Sequence, residues 1–83
     1  MPKDATIVVA EKRIIAPAGS IERLLSAERG QLMALELEHA VFPMPTTLPG
    51  HSEAQIQVYA SRREVSGVLA ALSDMEGYRT FQI

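Results

Sequence analysis

The sequence contains no cysteine and no tryptophan, and aromatic residues make up only 5% of its 83 residues. Without cysteine, disulfides, thiol nucleophiles and thiolate metal sites are excluded. No apolar run approaches the ~18 residues of a membrane-spanning helix, and no stretch resembles a secretion signal. We therefore expect a cytoplasmic protein that does not enter a membrane.

Neither sign of charge predominates in the sequence. Eight Lys and Arg stand against ten Asp and Glu, so the formal net charge is −2. No spacing concentrates the basic residues on one face, which disfavours nucleic-acid binding. The hydrophobic fraction is 47%, and it predicts a single domain over residues 1–83 with a core of aliphatic side chains.

The second half of the chain predicts a strand, a helix and a strand. Gln55–Ala60 alternates apolar and polar residues, which is the pattern of a strand with one buried face. Ser61–Glu64 has the form of a capping box and predicts the start of a helix. Gly77 is expected to end this helix, and Tyr78–Ile83 alternates again as a final strand. The buried stripe of the helix would comprise Val65, Val68, Leu69, Leu72 and Met75.

The first half begins with another strand and helix. Thr6–Ile15 is rich in Ile and Val and predicts one long strand that partly projects beyond the sheet. The three charges Glu11–Arg13 could instead mark a hairpin turn, but they lack the Gly or Asn such turns use. Ser20 is a candidate helix cap, and Gly30 is expected to end the helix.

The segment Gln31–Phe42 is ambiguous. Leu32 and Leu35 could continue the preceding helix, but alternation over Met33–Val41 matches a strand better, and we predict a second strand. The proline-rich Phe42–Ser52 is expected to be a long hairpin loop.

The resulting order, strand, helix, strand, strand, helix, strand, predicts an α+β, ferredoxin-like βαββαβ fold with two helices on one face of a four-stranded antiparallel sheet. The first and third strands would be central. Gln55, Gln57 and Tyr59 would face the uncovered side, and apolar residues there would favour dimerisation or a protein partner.

Three stretches resemble ACT-type regulatory domains, in particular the small regulatory subunit of acetolactate synthase. These are Gly19–Leu25, Ala27–Leu32 and Gln55–Ile83. The resemblance implies an amino acid bound at a dimer interface, through the loop that comprises Ala16, Pro17, Ala18, Gly19 and Ser20. The polar residue that such domains usually carry before a Pro-Gly pair is missing here.

Few side chains suggest chemistry. The Ala18–Ser20 amides could bind a carboxylate or phosphate, although a simple capped turn explains them as well. His39 and His51 lack the spacing of a metal site, and no nucleophile or phosphate-binding motif is present. We expect no cofactor and no catalytic residue, and an enzyme that uses His39 is the least favoured alternative.

The sequence thus predicts a non-catalytic, dimeric regulatory module that senses an amino acid or other small anion, or that regulates a larger enzyme subunit. The alternative is a small adaptor or inhibitor without a metabolite ligand. The expected interface is the edge strand with Met33, Leu35, Glu36, Leu37, Glu38, His39 and Val41.

Overall fold

The computed structural model describes residues 6–81. Within them the chain forms an α+β fold in which two helices cover one face of a four-stranded antiparallel sheet. No helix in this part of the chain has the length and apolarity needed to span a membrane. The elements in chain order are β1 (Thr6–Pro17), α1 (Ile21–Ala34), β2 (Glu38–Met44), β3 (His51–Ser61), α2 (Val65–Leu72) and β4 (Arg79–Thr80).

The strand order is β2-β3-β1-β4, so β1 and β3 are central, as expected from the sequence. These two strands pair over their whole length, from Thr6 opposite Ser61 to Pro17 opposite His51. The hairpin turn considered at Glu11–Arg13 does not occur, and a bulge between Val8 and Ala10 interrupts the ladder instead.

The core lies between the sheet and both helices. Leu32 of α1 and Leu72 of α2 belong to one buried cluster with Ile56 and Val58 of β3, so both helices pack on the same face. Alternation along β3 is as predicted, since Ala54, Ile56, Val58 and Ala60 are buried whereas Gln55, Gln57 and Tyr59 are not. The predicted stripe of the second helix is also confirmed, because Leu72 is buried and Val65, Val68, Leu69 and Met75 pack against the core.

The largest correction concerns Gln31–Phe42, of which only residues from Glu38 onward form a strand. Gly30 does not end α1, which continues to Ala34 because Leu32 is the side chain that anchors it in the core. The end is a Schellman motif, in which Leu37 N–H donates to Leu32 O at 3.0 Å and Glu36 N–H donates to Met33 O at 2.9 Å. Glu36 takes the left-handed position with φ 58°. Glycine is usual at this position, so a glutamate there did not indicate from the sequence that the helix ends.

The predicted loop between the middle strands is shorter than expected. β2 continues through Pro43 to Met44, and β3 begins at His51, so that the loop is confined to Pro45–Gly50. Pro43 fits in β2 because the strand lies at the edge of the sheet and the proline nitrogen faces outward, where no donor is needed.

The second helix starts later and ends earlier than predicted. Ser61–Glu64 forms a turn in which Glu64 N–H donates to Ser61 O at 2.9 Å. The Glu64 carboxylate does accept from Ser61 N–H, as predicted, but the Ser61 hydroxyl also donates to it, at 2.8 Å. These side-chain and backbone hydrogen bonds from Ser61 lower the pKa of Glu64. After Leu72 the chain forms irregular turns, and Gly77, with φ 88°, lies at the entry to β4.

The final strand is shorter than the predicted Tyr78–Ile83. Its ladder comprises Arg79 and Thr80, and Phe81 N–H donates to Val9 O at 2.9 Å. Gln82 and Ile83 of the predicted strand lie outside the described residues.

Candidate interaction surfaces

The turn before α1, Ala16–Ser20, is the predicted ligand site, and its amides are largely used within the chain. Ala18 N–H donates to Gly50 O at 2.9 Å, and Ser20 N–H donates to Pro17 O at 2.8 Å. Ala16 and Pro17 belong to β1, and the Ser20 hydroxyl makes no capping hydrogen bond. Of the three amides considered for anion binding, only that of Gly19 is left for a ligand.

The predicted interface, Met33–Val41, is not one continuous strand. Met33 is in α1, Leu35 and Glu36 form the turn after it, and Leu37 is buried in the core. Glu38, His39 and Val41 do lie in the edge strand β2, opposite Tyr59, Val58 and Ile56. The N–H groups of β2 that face away from β3 belong to its odd-numbered residues, and among these Pro43 has no N–H.

His39 is engaged through both ring nitrogens. Nδ1 lies 2.9 Å from Leu37 O, and Arg29 Nε donates to Nε2 over 3.4 Å. Because the carbonyl can only accept, this arrangement fits the neutral ring with its proton on Nδ1. His51 contacts its own loop, with Nδ1 2.8 Å from Pro49 O. Over residues 6–81, no group of three or more His, Asp or Glu side chains is placed to hold a metal ion.

A groove of about 330 Å³ lies between α1 and the edge of the sheet formed by β2 and β3. Ile21, Leu25, Val41 and Pro43 provide apolar walls, and Glu22 and Glu53 lie at its rim. Its volume lies at the lower end of the range found for small-molecule sites.

Comparisons of this chain with protein-family models, curated proteins and solved structures found no match. The candidate surfaces therefore rest on the residues and their geometry.

A cluster around Lys12 went unnoticed in the sequence. The Lys12 ammonium contacts Glu28 Oε2 at 3.1 Å and Glu76 O at 3.0 Å, and it lies 5.4 Å from the centre of the Tyr78 ring. It thereby joins β1, α1 and the segment before β4. No sequence signal connects these residues, because 16 positions separate Lys12 from Glu28 and 64 separate it from Glu76.

Tyr78 is the unusual member of this cluster. Its hydroxyl is buried and has no hydrogen-bond partner of good geometry among the described residues, although the Glu28 carboxylate is near enough to influence it. Burial raises the pKa of Tyr78 well above its ordinary value, and the Glu28 carboxylate adds to the rise because it opposes formation of a second negative charge.

The Lys12 cluster explains why β4 is short. The backbone at Gly77 passes close to the Lys12 side chain, since a Cβ on Gly77 would lie only 3.0 Å from Lys12 Cε. The chain before β4 therefore crosses Lys12 instead of following β1. As a result β4 pairs with β1 only at Ala10 and Glu11. The C-terminal segment of β1, Arg13–Pro17, has no neighbouring strand on that side within the described residues, and we call it the open edge of β1.

Beside the open edge lies a second groove, of about 360 Å³, between β1 and α1. Ile14, Ile15 and Leu24 provide its apolar surface, and the side chains of Ile15 and Leu24 are 47% and 45% exposed. The sequence contained one hint of this surface, namely a first strand much longer than the last.

The face of the sheet opposite the helices is uncovered by residues 6–81. It mixes apolar and polar side chains, as the exposed Phe42 and Ile15 alternate with Gln55 and Gln57. An ion pair between Arg13 Nε and Glu53 Oε2, 3.0 Å apart, crosses it.

Proposed function

We propose that this protein is a non-catalytic regulatory module of the ferredoxin-like type that works as a homodimer. The observation that carries the proposal is the open edge of β1. A central strand is usually paired on both sides, and here five residues of one are unpaired on one side within the described chain. A second protein chain would complete the sheet.

The order of helices and strands supports the ferredoxin-like assignment, because β1 and β3 are central and β2 and β4 are at the edges. The ACT-like resemblance of the sequence adds the regulatory role. In this proposal the dimer presents its uncovered sheet face to the protein that it regulates. The alternating apolar and polar side chains on this face are typical of surfaces that bind proteins.

The geometry favours regulation through protein contacts over sensing of a metabolite. An amino acid bound at Ala16–Ser20 would need backbone donors for its carboxylate, and Ala18 and Ser20 already donate within the chain. The version of the dimeric module that regulates a partner protein, without a metabolite, therefore fits this turn better than the ligand-sensing version.

The association state tests the proposal directly. Sedimentation velocity over a hundredfold range of protein concentration is expected to show a monomer converting to a dimer. A monomer at every concentration up to the millimolar range would overturn the proposal.

Calorimetric titration with the common amino acids separates the two versions. We expect no heat of binding. Binding that is lost in Gly19→Trp but kept in Leu48→Trp would instead establish ligand sensing at the predicted turn. Both positions have room for the larger side chain, since nothing lies within 4 Å of a Cβ on Gly19 and Leu48 is 49% exposed.

A further inference from the structure

The uncovered part of β1 has a defined hydrogen-bonding pattern. Ala18 N–H continues the bonds between β1 and β3, whereas Val9 O accepts from Phe81 of the β4 segment. Because the direction alternates along a strand, even-numbered residues of this part of β1 face β3 and odd-numbered residues face outward. The unpaired outward groups on the open edge are thus Arg13 N–H and O and Ile15 N–H and O, whereas Pro17 O accepts from Ser20 N–H at 2.8 Å.

We infer that the open edge of β1 is the dimer interface, where it pairs antiparallel with the same edge of a second copy around a two-fold axis at Ile15. This inference rests on the proposed function and names the surface by which the module dimerises. The two sheets would join into one sheet of eight strands, with the helices of both copies on the same face.

The edge is self-complementary in this register. Each Ile15 would exchange two backbone hydrogen bonds with its symmetry mate. Each Arg13 N–H would donate to Pro17 O of the other copy, a carbonyl whose second lone pair is left by the bond from Ser20 N–H. Both outward donors are used, and Pro17 is needed only as an acceptor, which is the one role a proline can fill. A register centred on Ile14 fits less well, because it places Pro17 opposite Glu11, where Arg79 of β4 already pairs.

The side chains agree with this pairing. Ile15 would meet its mate on the uncovered face, and Ile14 would lie opposite Ala16 on the helix face, where the exposed Leu24 of α1 extends the apolar contact. The neighbouring cations do not oppose the approach. Arg13 is paired with Glu53 and Lys12 with Glu28 inside each copy.

Within the described residues the chain after β4 leads away from this edge, because Phe81 N–H donates to Val9 O, on the far side of Ala10 from Arg13.

A proline substitution tests the edge without removing a hydrogen bond inside the protein. Ile15→Pro deletes an outward N–H from each copy, and we expect it to weaken dimerisation about 30-fold or more. Val41→Pro is the matched control, because it deletes an outward N–H from β2, and it should leave the dimer intact. Circular dichroism verifies that both variants fold.

Cross-linking locates the interface independently of any change in stability. The chain has no cysteine, so Ile15→Cys provides one thiol, which a short bis-maleimide should join to its mate. Phe42→Cys is on the same sheet face, but in this dimer five strand spacings, about 24 Å, separate the two copies, and no cross-link should form.

The outcomes distinguish the inference from the proposed function. A monomeric wild-type protein would overturn both. A dimer that survives Ile15→Pro, or one that cross-links through Phe42→Cys and not through Ile15→Cys, would overturn the open-edge interface and leave dimerisation standing. Cross-linking through Ile15→Cys together with loss of the dimer in Ile15→Pro establishes the interface.

Discussion

The two halves of the molecule repeat the same order of elements at different lengths. In the first half, β1, α1 and β2 have 12, 14 and 7 residues, whereas β3, α2 and β4 in the second half have 11, 8 and 2. The first strands of the two halves are matched, but the last two elements of the second half are truncated. The difference teaches that the open edge of β1 results from a short second half, and not from a distortion of β1 itself.

The halves also end their helices differently. α1 stops in a regular motif with Glu36 in the left-handed position, and only Leu37 separates Glu36 from the edge strand. After α2 the chain passes through irregular turns that the Lys12 ammonium contacts at Glu76 O. In the second half, the Lys12 side chain therefore helps to hold the segment between helix and last strand. The corresponding segment of the first half is held by a regular helix ending.

The largest expected effect compares the anchors of the two helices. Leu32 of α1 is fully buried, and Leu72 of α2 is 2% exposed. Leu72 is the one buried residue of α2, whereas α1 also buries Ile21. Each change to Ala should lower the free energy of unfolding by about 2–5 kcal/mol in urea titrations. Met33→Ala, at a side chain that is 64% exposed, should change it by no more than ~0.5 kcal/mol.

If Leu72→Ala proved as mild as Met33→Ala, the second half would not depend on its helix, and the comparison of the halves would fail.

Glycine substitutions should have opposite signs in different places. Gly77→Ala should destabilise the protein by about 1–2 kcal/mol, because φ is 88° and the new Cβ would contact Lys12 Cε. Gly30→Ala in α1 and Gly67→Ala in α2 should each stabilise it by roughly 0.5–1 kcal/mol, since both sites are helical and open. Thermal unfolding of the three variants measures the signs, and a stabilising Gly77→Ala would refute the strained entry to β4.

The end of α1 offers a stabilising change of about 1 kcal/mol. Glu36 has φ 58°, a conformation that glycine adopts without the steric cost of a side chain, so Glu36→Gly should raise the free energy of unfolding by that amount. Leu35→Gly is the control, because φ there is −88° and no strain is relieved. Equal effects of the two substitutions in urea titrations would argue against a strained turn.

Tyr78→Phe is expected to have the smallest effect on stability at neutral pH, and the effect becomes measurable at alkaline pH. The pKa of Tyr78 is higher in the folded protein than in the unfolded chain, so the protonated phenol contributes to the free energy of unfolding. This contribution is complete below about pH 10, the unfolded pKa, and is lost as the pH rises toward the folded pKa. Tyr78→Phe cannot ionise, so its stability should fall less above that pH. At neutral pH it should be at least as stable as the wild type, since an unpartnered buried hydroxyl is removed.

Tyr59→Phe serves as the control, because it removes a tyrosine hydroxyl that has a hydrogen-bond partner, Gln57 Oε1 at 2.9 Å. Urea midpoints between about pH 8 and pH 11 compare the variants. An unchanged alkaline transition in Tyr78→Phe would contradict the assigned burial.

Much of the fold follows from local pattern. The alternation in β3 and the stripe of α2 predicted which side chains are buried, because burial on one face imposes the period of each element. The Gln31–Phe42 segment could not be assigned in this way. Met33, Leu35 and Leu37 satisfy a strand period, whereas Leu32 continues the helix, and only burial of Leu32 in the core decides between the two structures.

The candidate site was harder to predict than the fold. The edge of β1 is open because Lys12 interacts with residues far along the chain, and no spacing in the sequence reports such contacts. The expected edge strand was misplaced for the same reason, since its first five residues, 33–37, complete a helix and its turn.

Pro43 has a consequence for the outer rim of the molecule. In the proposed dimer the two β2 strands would be the outer strands of the enlarged sheet, and one outward-facing position of each, Pro43, has no N–H. A further chain docking there would forgo a hydrogen bond and meet the pyrrolidine ring. We therefore expect Pro43 to disfavour lateral growth of the sheet at β2.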